Sequence, residues 1–247
     1  MIPDRLIATL RDARSVVALT GAGVSAESGV PTFRDRMEGH WAKFDPMQLA
    51  TPEAFAADPE MVTQWYDWRR RKCLDCAPNP GHIALAELEE LLNARGGRFT
   101  LLTQNVDRLH HRAGSRNVVE LHGSIHTWRC TESGREVEPG PEPFTEHPMK
   151  SEWGGLLRPG VVWFGEALPP AALDAAFEAM ESCDFFLSIG TSAVVHPAAG
   201  LIQLARACDA KTVEINRDPT PITSMVDWSI SGLSGEILPV LLKKMGP

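Results

Sequence analysis

The sequence predicts an α/β fold, a parallel sheet with helices on both faces, plus a small inserted module. Short apolar segments of strand type alternate with segments of helical periodicity along most of the chain. This alternation is typical of a parallel sheet that is covered on both faces. Two stretches interrupt it, at about 35–78 and 123–159, and we expect the inserted module there.

The chain begins with an amphipathic helix within residues 1–14 and an apolar strand at 15–20. The strand runs directly into a glycine-rich segment, residues 21–29. A strand that enters a glycine-rich turn is how nucleotide-binding α/β folds usually begin. By itself this turn could be an ordinary glycine turn before a helix, and its spacing is not the G-x-G-x-x-G of dehydrogenases.

Three predicted helices begin at a capping side chain followed directly by a proline, at Thr51, Asp58 and Asn79. Such side chains accept backbone N–H groups of the first turn, and proline fits the first helical position. The helix after Asn79 should span residues 80–94 and end before the glycines at 96–97.

The remaining segments continue the alternation. Strands are predicted at 99–103, 117–121, 183–190 and 211–216, and helices at 197–209 and 234–245. Residues 123–160 are rich in proline, glutamate and glycine and show little periodicity, so an irregular module is predicted there.

The composition limits the function classes. Hydrophobic residues make up 43% of the 247 residues and charged residues 23%, as in ordinary globular proteins. The formal net charge of −8 argues against broad nucleic-acid or anionic-membrane binding. No apolar run suits a membrane span and the N-terminus lacks a secretory pattern. Five scattered cysteines favour a reducing cytoplasm. The sequence does not indicate the oligomeric state.

Polar residues cluster directly after the predicted strand ends. The clusters are Gln104, Asn105 and Asp107; His122 and Ser124; and Thr191 and Ser192. In open α/β sheets the ligand lies outside the carboxyl ends of the strands. These loops and the glycine-rich segment should therefore converge on one crevice that contains a histidine, an aspartate and an asparagine.

Six motifs that follow one another along nearly the whole chain resemble the sirtuin family, the NAD-dependent protein deacylases. The motifs are 21–25 with 28–31 and 33–34; 104–107 with 109–110 and 113–114; 121–124; 158–166; 190–192; and 214–216. The resemblance implies a Rossmann-like NAD-binding domain formed by residues 1–34, 79–122 and 160–247. It implies a small domain formed by residues 35–78 and 123–159, with NAD and an acyl-lysine peptide in the cleft.

The resemblance also implies a reaction. The acyl oxygen attacks C1′ of the nicotinamide ribose, and nicotinamide leaves. His122 then takes a proton from a ribose hydroxyl, which attacks the alkylimidate, and water finally yields free lysine and O-acyl-ADP-ribose. A histidine suits this role because it titrates near neutral pH. Asn105 and Asp107 are the other residues implied to be catalytic.

The implied cofactor site draws on every loop at the crevice. Asp107 would bind the nicotinamide carboxamide, while Asn105 and Gln104 would position the ribose and a water. Phe33, beside Arg34, would screen the reactive face of the sugar. Backbone groups would hold the phosphates, and further residues would lie along the adenosine. The phosphate set is Gly21, Ala22, Gly23, Ser25, Gly190, Thr191 and Ser192, and the adenosine set is Asn216, Arg217 and Ser234.

The resemblance places the substrate on two segments. An apolar strip would pair with the peptide by strand addition; it comprises Val161, Val162, Trp163, Phe164, Gly165 and Glu166. Tyr66 and Arg69 are three residues apart on a predicted helix face and match the Tyr-x-x-Arg of sirtuins that prefer succinyl, malonyl or glutaryl lysine. Phenol and guanidinium make a sound carboxylate receptor.

Two alternatives at this acyl site stay open. The basic residues from Arg69 to Lys72 could instead complement a helix C-terminus, and acetyl-lysine could also be a substrate. Related sequences usually have a small residue where this chain has Arg36. That side chain could narrow the pocket, add a second cation or point to solvent.

The usual zinc site of the family is incomplete in this sequence. Most sirtuins hold structural zinc with two Cys-x-x-Cys pairs, whereas here Cys130 stands with Ser133, Lys150 and Trp153. A tetrahedral structural site needs four ligands, so no zinc is expected, and Trp128, Trp153 and Phe144 should pack together instead. A substitute site of His126, His147 and Cys130 is the alternative.

Other candidate residues receive ordinary interpretations. Cys73 and Cys76 have Cys-x-x-Cys spacing without a second pair nearby, which favours two plain thiols over a redox or metal site. His110 and His111 should lie in a helical turn behind the crevice.

Three other functions remain alternatives. An NAD glycohydrolase or ADP-ribosyltransferase could use the same pocket. A protein that only binds NAD would not need the histidine base. A dehydrogenase is disfavoured by the glycine spacing and by the lack of an evident acidic ribose partner.

Overall fold

The structure is a computed structural model that describes residues 2–32 and 45–246. The helices are α1 (Asp4–Asp12), α2 (Ala22–Ala26), α3 (Pro46–Leu49), α4 (Pro52–Ala57), α5 (Pro59–Asp75), α6 (Pro80–Ala94), α7 (Leu109–Arg112), α8 (Pro170–Glu181), α9 (Leu201–Ala207) and α10 (Ser234–Met245). The strands are β1 (Ser15–Thr20), β2 (Arg98–Thr103), β3 (Val118–Glu120), β4 (Gly123–Cys130), β5 (Glu136–Val137), β6 (Leu157–Val161), β7 (Phe185–Ile189), β8 (Lys211–Asn216) and β9 (Trp228–Ser231).

A parallel sheet forms the centre of the molecule. Within the described residues it has six strands in the order β3-β2-β1-β7-β8-β9, and each neighbouring pair is parallel. The predicted α/β, Rossmann-like fold class is confirmed. The winding direction reverses between β1 and β7, and open sheets of this kind bind ligands at that reversal, outside the carboxyl ends of the strands.

The predicted helix starts are confirmed at atomic detail. The side chains of Thr51, Asp58 and Asn79 each accept a backbone N–H from the first turn of α4, α5 or α6. The donors are Ala54 (3.1 Å), Met61 (2.9 Å) and Gly81 (2.8 Å). Because these caps are local interactions, short sequence patterns were enough to predict them.

The prediction of an irregular module at 123–160 is wrong in part. β4 pairs with β5 and β6 in a second, antiparallel sheet. Polar residues interrupt the apolar pattern of β4, and its longer partner lies far along the chain, so periodicity did not reveal it. The helix α8 and the strand β9 were also not predicted. Residues 198–200 form a 3-10 turn before α9, where one continuous helix was expected.

Three apolar clusters stabilise this arrangement. One lies between the parallel sheet and α1, α6 and α10, and another packs on α8 and α9. The third joins α4 and α5 to the antiparallel sheet and includes Trp65, Trp128 and Trp163, each at most 2% exposed. The division of the chain into two domains stays a prediction. No helix among the described residues is long and apolar enough to cross a membrane.

A buried ion pair in α5 holds the segment before β6. Asp67 and Arg70 lie 2.7 Å apart with side chains at most 2% exposed. The Arg70 guanidinium donates to the carbonyls of Gly140 and Glu142, both at 2.6 Å. The Asp67 carboxylate accepts the N–H of Phe144 at 3.2 Å. Two side chains of one helix thereby bind three backbone groups of the 140–144 segment.

Aromatic packing adds to this attachment. Trp128 and Phe144 meet edge to face with ring centroids 4.7 Å apart, as expected from the sequence. The Arg70 guanidinium lies over the ring of Phe144, 4.6 Å from its centroid. Trp153 packs against the same cluster, and its ring lies under Arg135 at 5.6 Å.

Candidate active site

The glycine-rich loop after β1 touches the loop after β7 directly, at the reversal of the sheet. Gly21 N donates to Ile189 O (3.1 Å), and Gly23 N donates to Gly190 O (2.8 Å). A Cβ atom on Gly23 would come within 2.7 Å of that same carbonyl, so no other residue fits without displacement of the backbone. Both N–H groups are therefore engaged in joining the loops. Ala22 lies beside them in the first turn of α2.

Ser25 connects the glycine-rich loop to the loop after β2. Its hydroxyl accepts from Asn105 Nδ2 at 2.9 Å, and the same amide donates to Gly21 O at 3.1 Å. The Ser25 hydroxyl also hydrogen-bonds Asp107 and lies 3.5 Å from His82 Nε2. Asn105 is 8% exposed and Asp107 3%, so this polar group is nearly enclosed.

The carboxylate of Asp107 also binds a backbone N–H where the loop meets α7. It accepts the N–H of Leu109 at 2.8 Å, at the start of α7. Burial raises the pKa of Asp107, while the hydrogen bonds from Leu109 and Ser25 oppose that rise by stabilising the charged form.

The loops after β2, β7 and β8 meet at Thr191. Gln104 Nε2 donates to Thr191 Oγ1 at 3.1 Å, and Asn216 Nδ2 donates to Thr191 O at 3.3 Å. Ser192 follows in the same loop. The crevice predicted from the strand ends is therefore a connected set of loops.

His122, between β3 and β4, has a defined tautomer. Its Nδ1 lies 3.1 Å from Gln104 O. A carbonyl oxygen only accepts hydrogen bonds, so Nδ1 carries the proton and Nε2 is the basic nitrogen. Burial lowers the pKa of His122, and the hydrogen bond to Gln104 partly opposes this. The neutral ring is therefore the form present at neutral pH.

The strip after β6 is attached to its surroundings at successive residues. Val162 N donates to His122 O, Trp163 N to the Glu166 carboxylate and Phe164 N to Ala50 O, each at 2.9 Å. Gly165 adopts a positive φ of 87° in the turn that follows. A peptide that adds to this strip would have to pair without these N–H groups, so peptide pairing stays a prediction.

The side chain of Glu166 stabilises the turn in which it lies. Arg158 donates to both of its carboxylate oxygens, at 2.6 and 2.9 Å, and stacks over the Trp163 ring, 3.4 Å from its centroid. Val161 ends β6 opposite Gly123. The carboxylate of Glu166 therefore orders the strip, and its predicted contact with substrate remains a prediction.

Tyr66 and Arg69 lie together on the buried side of α5. The Tyr66 hydroxyl accepts from Trp163 Nε1 at 3.0 Å, and Arg69 Nη2 donates to Pro31 O at 3.2 Å. Burial raises the pKa of Tyr66, which the nearby Arg69 cation partly opposes. Tyr66 is thereby bonded to Trp163, which follows the residue whose N–H donates to His122 O, and Arg69 is bonded to Pro31, two residues after the glycine-rich segment.

Some predicted cofactor residues have other contacts, and some cannot be placed. Ser234, at the start of α10, donates its hydroxyl to Glu27, and Gly235 N donates to the same carboxylate at 3.1 Å. Arg217 has a 76% exposed side chain and pairs with Asp218 at 3.0 Å. Phe33, Arg34 and Arg36 lie outside the described residues.

The residues at the expected zinc position do not fit that metal. Cys130 Sγ donates to Gly154 O at 3.0 Å and accepts from Ser133 N at 3.4 Å. Within residues 2–32 and 45–246 no group of three or more His, Cys, Asp or Glu could hold a metal ion. The alternative triad is not formed, because His126 donates to Asp107 O at 3.1 Å and His147 lies 3.7 Å from Asp67.

The cysteine pair and the two adjacent histidines have structural contacts. Cys73 and Cys76 are free thiols, and Cys76 donates to a backbone carbonyl. His110 is buried, and its Nε2 lies 2.9 Å from Thr20 Oγ1. His111 lies 3.7 Å from the Glu120 carboxylate.

Sequence reasoning missed several polar contacts that stabilise the elements around the site. His82 completes a capping box with Asn79 at the start of α6, a signal that Asn-x-x-His spacing could have provided. The contacts of Glu27 with α10 and of His126 with Asp107 join residues distant in sequence. No local pattern indicates such contacts.

The comparisons with known proteins agree with this geometry. The sequence model of the Sir2 family matches residues 21–197. The chain is 48% identical to "NAD-dependent protein deacylase 1" of Archaeoglobus fulgidus, over 97% of this chain and 96% of that protein. It is 49% identical to "NAD-dependent protein deacylase 1" of Pseudomonas aeruginosa, over 98% of both chains.

Comparison with solved structures indicates the same family. A crystal structure of a Sir2 homolog–NAD complex superposes with a TM-score of 0.93 at 47% identity, covering 99% of this chain and 94% of that one. A Sir2 structure with an inhibitor, 2′-O-acetyl-ADP-ribose and a deacetylated peptide superposes with a TM-score of 0.84 at 29% identity, covering 99% of both. By sequence and by structure, the chain belongs to the Sir2 family.

Proposed function

We propose that this chain is an NAD-dependent protein-lysine deacylase that yields nicotinamide and O-acyl-ADP-ribose. The observation that carries the proposal is the state of His122. Its Nδ1 proton is held by Gln104 O, which leaves Nε2 free to accept a proton at the edge of the Asn105–Asp107 loop. The relatives named as NAD-dependent protein deacylases support the same reaction.

The described residues fit NAD. Gly21 and Gly23 lack side chains and pack directly against Gly190 and Thr191, so the two loops meet at the edge of the sheet where α/β folds bind the phosphates of a nucleotide. Asn105, Asp107 and Thr191 place amide, carboxylate and hydroxyl groups along it. When bound, NAD supplies an electrophilic sugar carbon that bears a leaving group.

In the proposed reaction each of these polar side chains has one role. His122 accepts a proton at Nε2, as a general base whose pKa lies below neutrality. Asp107 offers a carboxylate to the N–H groups of a carboxamide, and Ser25 and Leu109 orient it. Asn105 is held by Gly21 and Ser25, which positions its amide beside the sugar.

The decisive assay identifies products by mass. The protein is incubated with NAD and with acetyl-, succinyl- or malonyl-lysine peptides. O-acyl-ADP-ribose together with free lysine peptide supports the deacylase. Nicotinamide release with an unchanged peptide contradicts it and supports a glycohydrolase, and ADP-ribose attached to protein supports a transferase. Absence of NAD consumption would leave NAD binding as the only activity.

One observation favours the alternative of NAD glycohydrolase or ADP-ribosyltransferase. The N–H groups of Val162, Trp163 and Phe164 already donate within the chain. Strand addition of a peptide has correspondingly fewer donors on this strip. The same assay separates the two functions, since it follows both nicotinamide and peptide.

We further propose that the preferred acyl groups are acidic, namely succinyl, malonyl or glutaryl. Tyr66 and Arg69 are both buried, 2% and 5% exposed, and a buried guanidinium beside a phenol favours a carboxylate. Tyr66 contacts Trp163 of the strip proposed to bind the peptide, and Arg69 contacts Pro31, two residues after the glycine-rich segment, which supports a position near the bound acyl group.

Arg69→Met is expected to lower kcat/KM for desuccinylation at least about tenfold more than for deacetylation, because only the succinyl group needs the charged hydrogen bonds. Paired assays with both peptides measure the ratio. Arg71→Met is the matched control, since Arg71 lies on the same helix with a side chain 42% exposed. Equal losses on both substrates with Arg69→Met would contradict an acyl receptor.

The pH profile of deacylation should reflect the environment of His122. Its neutral form is the active base, and burial lowers its pKa below the usual value of about 6.5. We therefore expect the acid limb of kcat/KM to follow the loss of one neutral base, with its midpoint below about 6.5. A midpoint above pH 7 would show that another group, or a raised histidine pKa, controls the rate.

We also propose that the chain needs no zinc, since Cys130 stands without the other three family ligands. Elemental analysis of the purified protein should find far less than one equivalent of tightly bound zinc. Treatment with a chelator should leave deacylation and thermal stability unchanged. One equivalent of zinc that is lost together with activity would overturn this proposal. Placement in the cytoplasm remains a prediction from the cysteine content.

A further inference from the structure

Three consecutive residues of the loop that carries the catalytic side chains are attached to three consecutive residues of β4. Val106 O accepts the N–H of Ile125 at 2.9 Å. Asp107 O lies 3.1 Å from His126 Nε2. Beyond them the Arg108 guanidinium donates to Thr127 Oγ1 at 2.9 Å. The antiparallel sheet and the active-site loop are therefore joined residue by residue.

The middle contact is made by a side chain whose tautomer is determined. Asp107 O only accepts, so His126 Nε2 must carry the proton. Burial lowers the pKa of His126, and the cations of Arg108, Arg70 and Arg112 lower it further, although the Asp107 contact opposes them. The ring is therefore neutral at neutral pH, with its single proton on the nitrogen that faces the loop.

The backbone around Asp107 leaves little freedom for other arrangements. Arg108 has the left-handed conformation, with φ of 59°, which is unfavourable for a residue other than glycine. Its guanidinium is held by Glu138 at 2.6 Å as well as by Thr127. The chain thus turns sharply directly after Asp107. The backbone conformation there restricts the positions of both the Asp107 carbonyl and the Asp107 carboxylate.

We propose that His126 is a positioning residue for Asp107: by donating to the Asp107 carbonyl from β4, it sets where the Asp107 carboxylate stands in the nicotinamide site. This inference rests on the proposed function for the role of Asp107. His122 acts on the same loop in the same way, through Gln104 O. Two histidines four residues apart therefore hold the two ends of the 104–107 segment.

The test compares two substitutions of one residue. Gln places an amide Nε2 the same number of bonds from Cβ as the histidine Nε2, so His126→Gln keeps a donor. His126→Phe keeps a ring and removes the donor. With His126→Phe we expect KM for NAD and the inhibition constant for nicotinamide to rise about 3- to 10-fold, as for loss of one hydrogen bond. KM for the acyl peptide should stay unchanged, and His126→Gln should recover most of the loss.

Hydrogen exchange supplies a readout that does not depend on turnover. The Leu109 amide donates to the Asp107 carboxylate, so its exchange should be about 3- to 10-fold faster in His126→Phe than in the wild type or in His126→Gln. An unchanged exchange rate overturns the inference. Faster exchange with unchanged NAD and nicotinamide constants also overturns it, because the contact would then be only structural.

A measurement on the unaltered protein covers the case in which His126→Phe does not fold. Nitrogen-15 NMR of the imidazole should show a protonated Nε2 and an unprotonated Nδ1 for His126, and the opposite tautomer overturns the inference. Failure of the proposed function looks different, since the wild type would then form no O-acyl-ADP-ribose from NAD and an acyl-lysine peptide. Leu109 exchange and the His126 tautomer would still decide whether His126 holds the loop.

Discussion

Replacement of His122 by alanine is expected to lower kcat for deacylation about 10²- to 10⁴-fold, the usual contribution of a general base. The reason is the fixed tautomer, with Nδ1 bound to Gln104 O and Nε2 available for a proton. NAD affinity should fall by no more than about 10-fold, because the ring holds the loop through a single hydrogen bond to Gln104 O. Product formation followed by mass spectrometry, together with calorimetric titration of NAD, measures both effects.

The control for this substitution is His111→Ala. His111 lies in α7, next to the Glu120 carboxylate, and its side chain is 41% exposed. It has no role in the proposed site. Its replacement should leave kcat within about twofold, as for ordinary surface positions. If His122→Ala retained most of the wild-type kcat, another residue would have to be the base.

Arg70→Met is expected to destabilise the protein by about 3–5 kcal/mol, the cost of leaving one member of a buried ion pair without its partner. Asp67 would remain nearly inaccessible, and the carbonyls of Gly140 and Glu142 would lose their donor. Denaturant unfolding followed by tryptophan fluorescence measures the change, since Trp65 and Trp128 lie in the adjoining core.

Arg71→Met provides the comparison on the same helix. Arg71 approaches the same carboxylate at 3.6 Å, but its side chain is 42% exposed, so its loss should cost no more than about 1 kcal/mol. The double variant Asp67→Asn with Arg70→Met should be more stable than Arg70→Met alone, because residue 67 then carries no charge that lacks its buried partner. Equal destabilisation by Arg70→Met and Arg71→Met would show that burial of the pair is unimportant.

The parts of the fold that sequence could predict are those specified by neighbouring residues. The six residues of β1 are all buried and all but its ends are apolar, and the caps at Thr51, Asp58 and Asn79 act within one helical turn. The strand-end rule placed Asn105 and Asp107 in one crevice because parallel strands all end at the same edge of the sheet.

The parts that sequence could not predict depend on residues that are distant along the chain. β4 is a strand because β6 pairs with it, and its own residues do not alternate clearly. Asp67 and Arg70 have the spacing of an ordinary surface pair on a helix, and only the packing of the 140–144 segment buries them. The same holds for His126, which looked like a metal ligand candidate and instead contacts Asp107.

The manner in which Asp67 and Arg70 hold the 140–144 segment affects how the protein matures. Both side chains come from one helix of the same polypeptide, and their partners are two backbone carbonyls and one backbone N–H. The attachment is therefore complete once translation and folding are complete, without a delivered component and without thiols as ligands. Neither a shortage of metal in the cell nor an oxidant that attacks cysteine should loosen this particular junction.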